Sequence, residues 1–210
     1  GVKNILLCGG FPKSDLTEPV LEAINKTTAA GVRIVGPQSL GLMTPSEGLN
    51  LSYLPSLPPA GEVGLVSQSP GLSCTIIDYV TNAQCGFSHV IDPGFEQVLT
   101  VADYVDMLAF DRKTRCIVLY LESFQQPRKL LSAIRLAAAN KPVILLKGGQ
   151  TPGSADIVIN NSGAREDEDG VMKRALVRAG ALLVTSLKEL NYAVQAFAMR
   201  KDLASGELYG

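Results

Sequence analysis

Apolar runs of strand length alternate with longer amphipathic segments along the chain, which predicts a parallel β-sheet covered by helices on both faces. Most of the short runs are unbroken stretches of Val, Ile and Leu, as expected for strands that are buried on both sides. The predicted strands are residues 4–8, 33–35, 63–67, 87–91, 116–121, 143–147 and 182–185. The fold class is therefore α/β.

Helical periodicity fills the intervals between these runs. Pro127 suits the first turn of a helix, where a missing N–H costs nothing, and the glycine of "RAG" at residues 178–180 favours a helix end. The predicted helices are residues 18–30, 71–81, 101–110, 127–140, 168–179 and 187–198.

The stretch "NLSYLPSLPPAG" at residues 50–61 contains three prolines and no usable period, so we interpret it as an extended linker. It separates residues 1–49, too short to bury a core alone, from a five-strand domain at residues 62–200 and a tail at 201–210. The short piece is expected to be the end of a truncated Rossmann-like domain. The chain begins at Gly1 without a methionine and enters a strand at once, so we expect it to be part of a longer protein.

Composition excludes several classes of function. The 210 residues are 46% hydrophobic and 19% charged, with a net charge of -1 and interspersed signs, so we expect a globular protein that binds no nucleic acid. Neither a membrane span nor a secretory signal is visible, which predicts a cytoplasmic protein without a membrane partner. The four cysteines form no C-x-x-C pair, and we expect no metal site.

Three positions carry candidate chemistry. The turn in "GLVSQSPGLS" precedes a helix and could bind a phosphate or carboxylate at the helix N-terminus, or Ser69 and Pro70 could only start the helix. Glu122 ends the run "VLYLES" and could orient a histidine or accept a proton, or cap the next helix with Ser123. His89 is the sole histidine and is interpreted as a packing residue, so nucleophilic hydrolysis has no base.

Six segments, in this order and spacing, resemble the NDP-forming acyl-CoA synthetases, relatives of the succinyl-CoA synthetase α subunit. They are "VGPQSLGLMTPSEGLN", "LVSQSPGLSCTIIDYV", "GFSHVIDPG", "FDRKTRCIVLYLES", "NKPVILLKGGQTPGS" and "ALVRAGALLV". The resemblance implies the end of a CoA-binding Rossmann-like domain followed by a flavodoxin-like ligase domain. That ligase domain carries a histidine that is phosphorylated during turnover.

The resemblance also implies roles for individual positions. Glu122 matches the glutamate that orients the phosphorylated histidine. The remaining matches are the phosphate loop (Ser67, Gln68, Ser69, Gly71), the G-P-N turn near the reactive end of CoA (Gly36, Pro37, Gln38, Gly41), and the "KSGR"-like segment (Lys147, Gly149).

The histidine loop departs from the family pattern. The family has "SHTG" where this chain has "NNSG", which puts Asn161 in the histidine slot, followed by Ser162 and Gly163. A carboxamide lacks the nucleophilic lone pair that a phosphoryl relay needs, so the relay is expected to be absent. Three smaller departures agree with this expectation: Gln38 replaces the asparagine of G-P-N, Phe95 replaces a small polar residue, and Pro70 removes an N–H from the phosphate loop.

In these departures the chain resembles a subgroup of bacterial protein lysine acetyltransferases, in which the synthetase-like region also lacks the histidine. The chain is then expected to be the non-catalytic, acyl-CoA-binding regulatory region of such a protein. The expected ligands are CoA or acyl-CoA, with ATP or ADP as further ones. The expected partners are an ATP-grasp or acetyltransferase domain of the same longer chain and, in a homo-oligomer, other copies. Two alternatives remain: an active NDP-forming acyl-CoA synthetase, with Ser162 as the sole candidate nucleophile, or a structural or oligomerisation domain.

Overall fold

Residues 1–9, 16–148 and 166–198 are described by a computed structural model of the chain. The first part forms β1 (Asn4–Cys8), α1 (Glu18–Ala29), β2 (Arg33–Ser39), β3 (Gly41–Thr44) and β4 (Leu49–Ser52). The rest forms β5 (Ala60–Ser67), α2 (Pro70–Asn82), β6 (Phe87–Ile91), α3 (Val101–Phe110), β7 (Cys116–Leu121), α4 (Pro127–Ala138), β8 (Val143–Lys147), α5 (Glu166–Arg178), β9 (Leu182–Val184) and α6 (Leu187–Ala198).

The described strands form two sheets. β1 and β2 pair in parallel in a two-stranded sheet, and the other strands form a seven-stranded sheet in the order β4-β3-β6-β5-β7-β8-β9. In this order the five strands from β6 to β9 pair in parallel, whereas β3 pairs antiparallel with both β4 and β6. The carboxyl ends of the parallel strands therefore share one edge, where open α/β sheets commonly bind ligands.

The central sheet is buried on both faces, which explains the unbroken apolar runs. Leu119, on one face of β7, packs in a core with α3, α4 and α5, whereas Val118 faces the core formed with α2 and α6. This three-layer arrangement confirms the predicted α/β class with a mostly parallel sheet. In the described ranges, the structure has no helix of the length and apolarity that a membrane span requires.

The hairpin of β3 and β4 was not predicted. Both strands are only four residues long, and Leu42 pairs with Ile91 of β6, so their structure depends on a distant partner rather than on local periodicity. The linker proposed at residues 50–61 consequently begins inside β4 and ends inside β5, which is a correction. The division of the chain into domains stays a prediction, and the proposed tail at residues 201–210 lies outside the described ranges.

Candidate functional site at the carboxyl edge of the sheet

A cavity of about 190 Å³ lies at the carboxyl edge, between the end of β2 and the turns that follow β5, β6 and β7. These turns approach each other because β6, β5 and β7 are neighbours in the sheet. The cavity is lined by Gln38, Gln68, Ser69, Pro70, Gly94, Phe95, Glu96, Gln97, Glu122, Ser123 and Gln125.

Gln68 ties three of these turns together through its side-chain amide. Its Oε1 accepts the backbone N–H of Glu122 at 2.6 Å and that of Ser123 at 3.0 Å. Its Nε2 donates to the carbonyl of Ser123 at 3.2 Å and to Oε1 of Glu96. A single orientation of the amide therefore satisfies all four contacts, and Gln68 fixes the position of the turn that carries Glu122.

Glu96 was missed as a site residue by the sequence analysis, although it directly follows "DPGF" at the carboxyl end of β6. Its Oε2 accepts the backbone N–H of Val101, the first residue of α3, at 2.8 Å. Burial raises the pKa of Glu96 above its ordinary value, against the lowering effect of the bonds from Val101 and Gln68. The carboxyl group thus occupies the N-terminus of α3 from inside the cavity wall.

Glu122 lies at the end of β7 beside Lys147, the last residue of β8. Burial raises the pKa of Glu122, while the hydroxyl of Tyr120, 3.4 Å from its Oε1, and the charge of Lys147 oppose the rise. The side chain of Lys147 is only 2% exposed, and its Nζ donates to the carbonyl oxygens of Glu122 at 3.0 Å and Gly148 at 2.9 Å. Lys147 also lies 5.4 Å from the ring centroid of Phe124, so it joins the turns after β7 and β8.

The predicted G-P-N-like turn lies inside β2, and this part of the strand interlocks with the turn after β6. Gly36 N–H donates to the carbonyl of Pro93 at 3.2 Å, and Phe95 N–H donates to that of Pro37 at 2.9 Å. Gln38 has a left-handed backbone with φ of 61° and lines the cavity, whereas Gly41 begins β3 and does not. The carboxyl end of β2 is therefore part of the cavity wall.

Asp92, the residue that follows β6, is fully buried. Its Oδ1 accepts the N–H of Gly94 at 2.8 Å, whereas its Oδ2 has no hydrogen-bond partner among the described residues. Burial raises the pKa of Asp92 to about 7, with smaller contributions in the same direction from Glu122 and Glu96. The junction therefore contains a carboxyl group that titrates near neutrality.

The predicted phosphate loop lies at the start of α2. Ser67 Oγ donates to the carbonyl of Ser69 at 3.0 Å, and Ser69 Oγ accepts the N–H of Leu72 at 3.4 Å as the N-cap. Gly71 lies in the first turn of the helix and is not in the cavity lining. Whether this loop binds phosphate stays a prediction, as do the other roles assigned by resemblance.

Asn161, which the sequence analysis assigned to the histidine slot, lies outside the described residues, as do Gly149, Ser162 and Gly163. His89 lies in β6, away from the cavity lining. Its Nε2 is 3.2 Å from Oδ2 of Asp111, and its Nδ1 is 3.2 Å from Oγ1 of Thr44. Among the described residues, no group of three His, Cys, Asp or Glu side chains is arranged to hold a metal ion.

The profile of the succinyl-CoA ligase like flavodoxin domain matches residues 60–197, from β5 to α6. The chain belongs to this family. The match covers the parallel strands of the large sheet and the turns after β5, β6 and β7, so most of the cavity wall lies in the family domain.

The chain is similar to curated ADP-forming CoA ligases. It is 29% identical over 99% of its length to the acetate–CoA ligase [ADP-forming] of Methanocaldococcus jannaschii, and covers 30% of that protein. It is 28% identical over 97% of its length to the 4-hydroxybutyrate–CoA ligase [ADP-forming] of Nitrosopumilus maritimus, again covering 30% of it. The chain thus spans less than a third of the length of these relatives.

A solved structure shares the fold. It is the dinucleotide forming acetyl-coenzyme A synthetase 1 of Ca. Korarchaeum cryptofilum in complex with phosphate and ADP, with a TM-score of 0.81 and 24% sequence identity. The superposition covers 90% of this chain and 42% of that protein. The resemblance to NDP-forming acyl-CoA synthetases is confirmed at the level of family and fold.

Proposed function

We propose that this chain is an acyl-CoA-binding regulatory region of a larger protein and that it does not accept a phosphoryl group. Its cavity would receive the acyl-bearing end of acyl-CoA, and Gln38, Gln68 and Glu122 would contact or position that end. Binding would order the turns that Gln68 connects, and this ordering would couple ligand binding to the neighbouring domains.

The observation that carries the proposal is the position of the single histidine. A phosphohistidine relay needs an imidazole nitrogen that can reach the phosphoryl donor and the acceptor in turn. Both ring nitrogens of His89 instead contact Asp111 and Thr44, and His89 is not in the cavity lining. With Asn161 in the slot where the family pattern has histidine, the relay has no acceptor in this chain.

We propose that the larger protein is a protein lysine acetyltransferase, because the sequences of the "GPQSLGL", "RKT" and "NKP" segments resemble that subgroup. The alternative is part of an active ADP-forming CoA ligase, which the curated relatives favour. In that case another nucleophile would have to replace the histidine.

Two measurements on the same preparation test the proposal. Titration calorimetry with acetyl-CoA is expected to show saturable binding, reduced at least about tenfold by Gln38→Ala and unchanged by Glu47→Gln, whose side chain is paired with Lys113 outside the cavity. A luciferase assay with acetyl-CoA, ADP and phosphate is expected to detect no ATP. ATP formation that depends on this chain would refute the proposal and favour the ligase.

A further inference from the structure

We infer that the carboxyl-edge cavity excludes phosphate and instead holds an uncharged ligand group that both donates and accepts hydrogen bonds, such as an amide. This inference rests on the proposed function only in assigning the group to the acyl-bearing end of a CoA thioester. It differs from the role that the resemblance implies for the loop of Ser67, Gln68, Ser69 and Gly71, which is to receive phosphate.

The N-termini of two helices at this edge offer an anion fewer donors than a helix start usually does. Helices bind phosphate through the unpaired N–H groups of their first turn. Both α2 and α4 have proline in that first turn, Pro70 and Pro127, and proline has no N–H. In α2 the N–H of Leu72 is also already directed at Ser69 Oγ.

The third helix, α3, has its N-terminus occupied by protein carboxyl groups. The Val101 N–H donates to Glu96, and the N–H and hydroxyl of Thr100 donate to Oδ2 of Asp103 at 2.9 and 2.8 Å. An incoming phosphate would have to displace the carboxyl group of Glu96 or of Asp103 from this helix N-terminus. The positive end of the α3 dipole is thus already compensated.

The charges of the described cavity wall also oppose an anion. Its ionisable side chains are Glu96 and Glu122, and neither lysine nor arginine belongs to the described lining. Lys147 is not in this lining, and its ammonium donates to the carbonyl oxygens of Glu122 and Gly148. Because burial raises the pKa of both glutamates, each is either a repelling charge or a protonated acid, and neither state supplies positive charge to a phosphate.

The polar groups that remain in the wall suit an uncharged ligand. Gln38, Gln97 and Gln125 contribute carboxamides, which offer donors and acceptors at once, and Ser123 contributes a hydroxyl. Glu96 and Glu122 accept hydrogen bonds from a ligand N–H when they are ionised. A ligand amide can satisfy both kinds of partner without bringing a net charge into a half-buried site.

Two small probes separate the alternatives. The ¹⁵N-labelled chain is titrated near neutral pH and at constant ionic strength with N-acetylcysteamine, an uncharged thiol with one amide, and with inorganic phosphate. The backbone amide resonances of Glu96, Glu122 and Ser123 are expected to shift saturably with N-acetylcysteamine. Phosphate is expected to bind at least about tenfold more weakly, since one unfavourable charge contact of about 1.4 kcal/mol has that effect.

A charge-removing variant gives the converse result. Glu122→Gln, and separately Glu96→Gln in case one variant fails to fold, should reduce the preference for N-acetylcysteamine over phosphate about tenfold, whereas Glu47→Gln should leave it unchanged. Saturable phosphate binding by the unmodified chain at these resonances, as tight as that of N-acetylcysteamine, would overturn the inference. So would the absence of any shift with N-acetylcysteamine. If acetyl-CoA fails to bind while the probe preference is as expected, the proposed function is refuted and the inference stands.

Discussion

Gln68 accepts the backbone N–H of Glu122 at 2.6 Å, so the turn after β5 holds the turn after β7. Replacing Gln68 with methionine keeps the length of the side chain but leaves the N–H groups of Glu122 and Ser123 without this acceptor. An unsatisfied buried donor costs about 1 to 3 kcal/mol, so Gln68→Met is expected to lower the free energy of unfolding by about 2 to 4 kcal/mol.

Urea denaturation followed by circular dichroism measures this loss. The matched control is Gln84→Met, an exposed glutamine, which should change the free energy of unfolding by less than about 0.5 kcal/mol. Equal stability of the two variants would show that Gln68 does not hold the turn of Glu122.

The stability of the protein is expected to depend on pH through the buried carboxyl group of Asp92. Its folded-state pKa of about 7 lies above its ordinary value of 3.8 because of burial, so its contribution is fully present at low pH and is lost as the pH rises toward 7. Relative to Asp92→Asn, the unmodified chain should lose up to about 4 kcal/mol of unfolding free energy between about pH 4 and about pH 8. Urea denaturation of both proteins across this range measures the difference.

The control for Asp92→Asn is Asp78→Asn at an exposed site on α2, which is expected to change the free energy of unfolding by less than about 0.5 kcal/mol. If the difference in unfolding free energy between the unmodified chain and Asp92→Asn stays constant over the pH range, the raised pKa of Asp92 is contradicted.

Substitution by alanine is expected to have opposite effects on stability at Gly94 and at Gly71. Gly94 has φ of +64°, and a Cβ there would overlap the carbonyl oxygen of Pro37, so Gly94→Ala should destabilise the protein by more than about 2 kcal/mol. At Gly71, in the first turn of α2, a Cβ meets open space, so Gly71→Ala should stabilise by about 0.5 to 1 kcal/mol. Thermal unfolding of the two variants checks the sign at each site, and a tolerated Gly94→Ala would argue against the interlocking of β2 with the turn after β6.

How far the sequence predicted the molecule depends on the range of the interactions involved. The strand of residues 116–121 is recognisable because six consecutive buried side chains leave an unbroken apolar run. β3 and β4 leave no such run, since Gly41, Leu42, Met43 and Thr44 acquire their strand from pairing with β4 and β6. Local patterns thus identify elements that are buried on both faces and miss those made by distant pairing.

The same distinction applies to the candidate site. Gln68 and Glu122 were identified because each follows an apolar run at its carboxyl end. Glu96 was missed, because its partners Gln68 and Val101 become apparent only when the turn after β6 is placed beside that after β5. The signal available in the sequence was a carboxylate five residues before a helix start, which is common in loops.

Lys147 predicts a change in the titration of Glu122. In Lys147→Met the two carbonyl oxygens of Glu122 and Gly148 lose their donor, and the pKa of Glu122 should rise because the opposing charge is removed. Carboxyl ¹³C chemical shifts of Glu122 against pH measure the rise, and Lys147→Arg should largely restore the original value. The control, Lys129→Met in an exposed pair with Asp103, should leave the titration of Glu122 unchanged.

The most direct test of the central claim is whether this chain ever becomes a phosphoprotein. The protein is incubated with ³²P-labelled phosphate and acetyl-CoA, and separately with labelled ATP and the ATP-grasp subunit of an ADP-forming acetate–CoA ligase, with an active ligase of that type as positive control. Covalent label in the control and none in this chain, whether acid-labile or base-labile, is the result we predict. Such label on any residue of the chain, located by mass spectrometry of its peptides, would contradict the claim that the chain accepts no phosphoryl group.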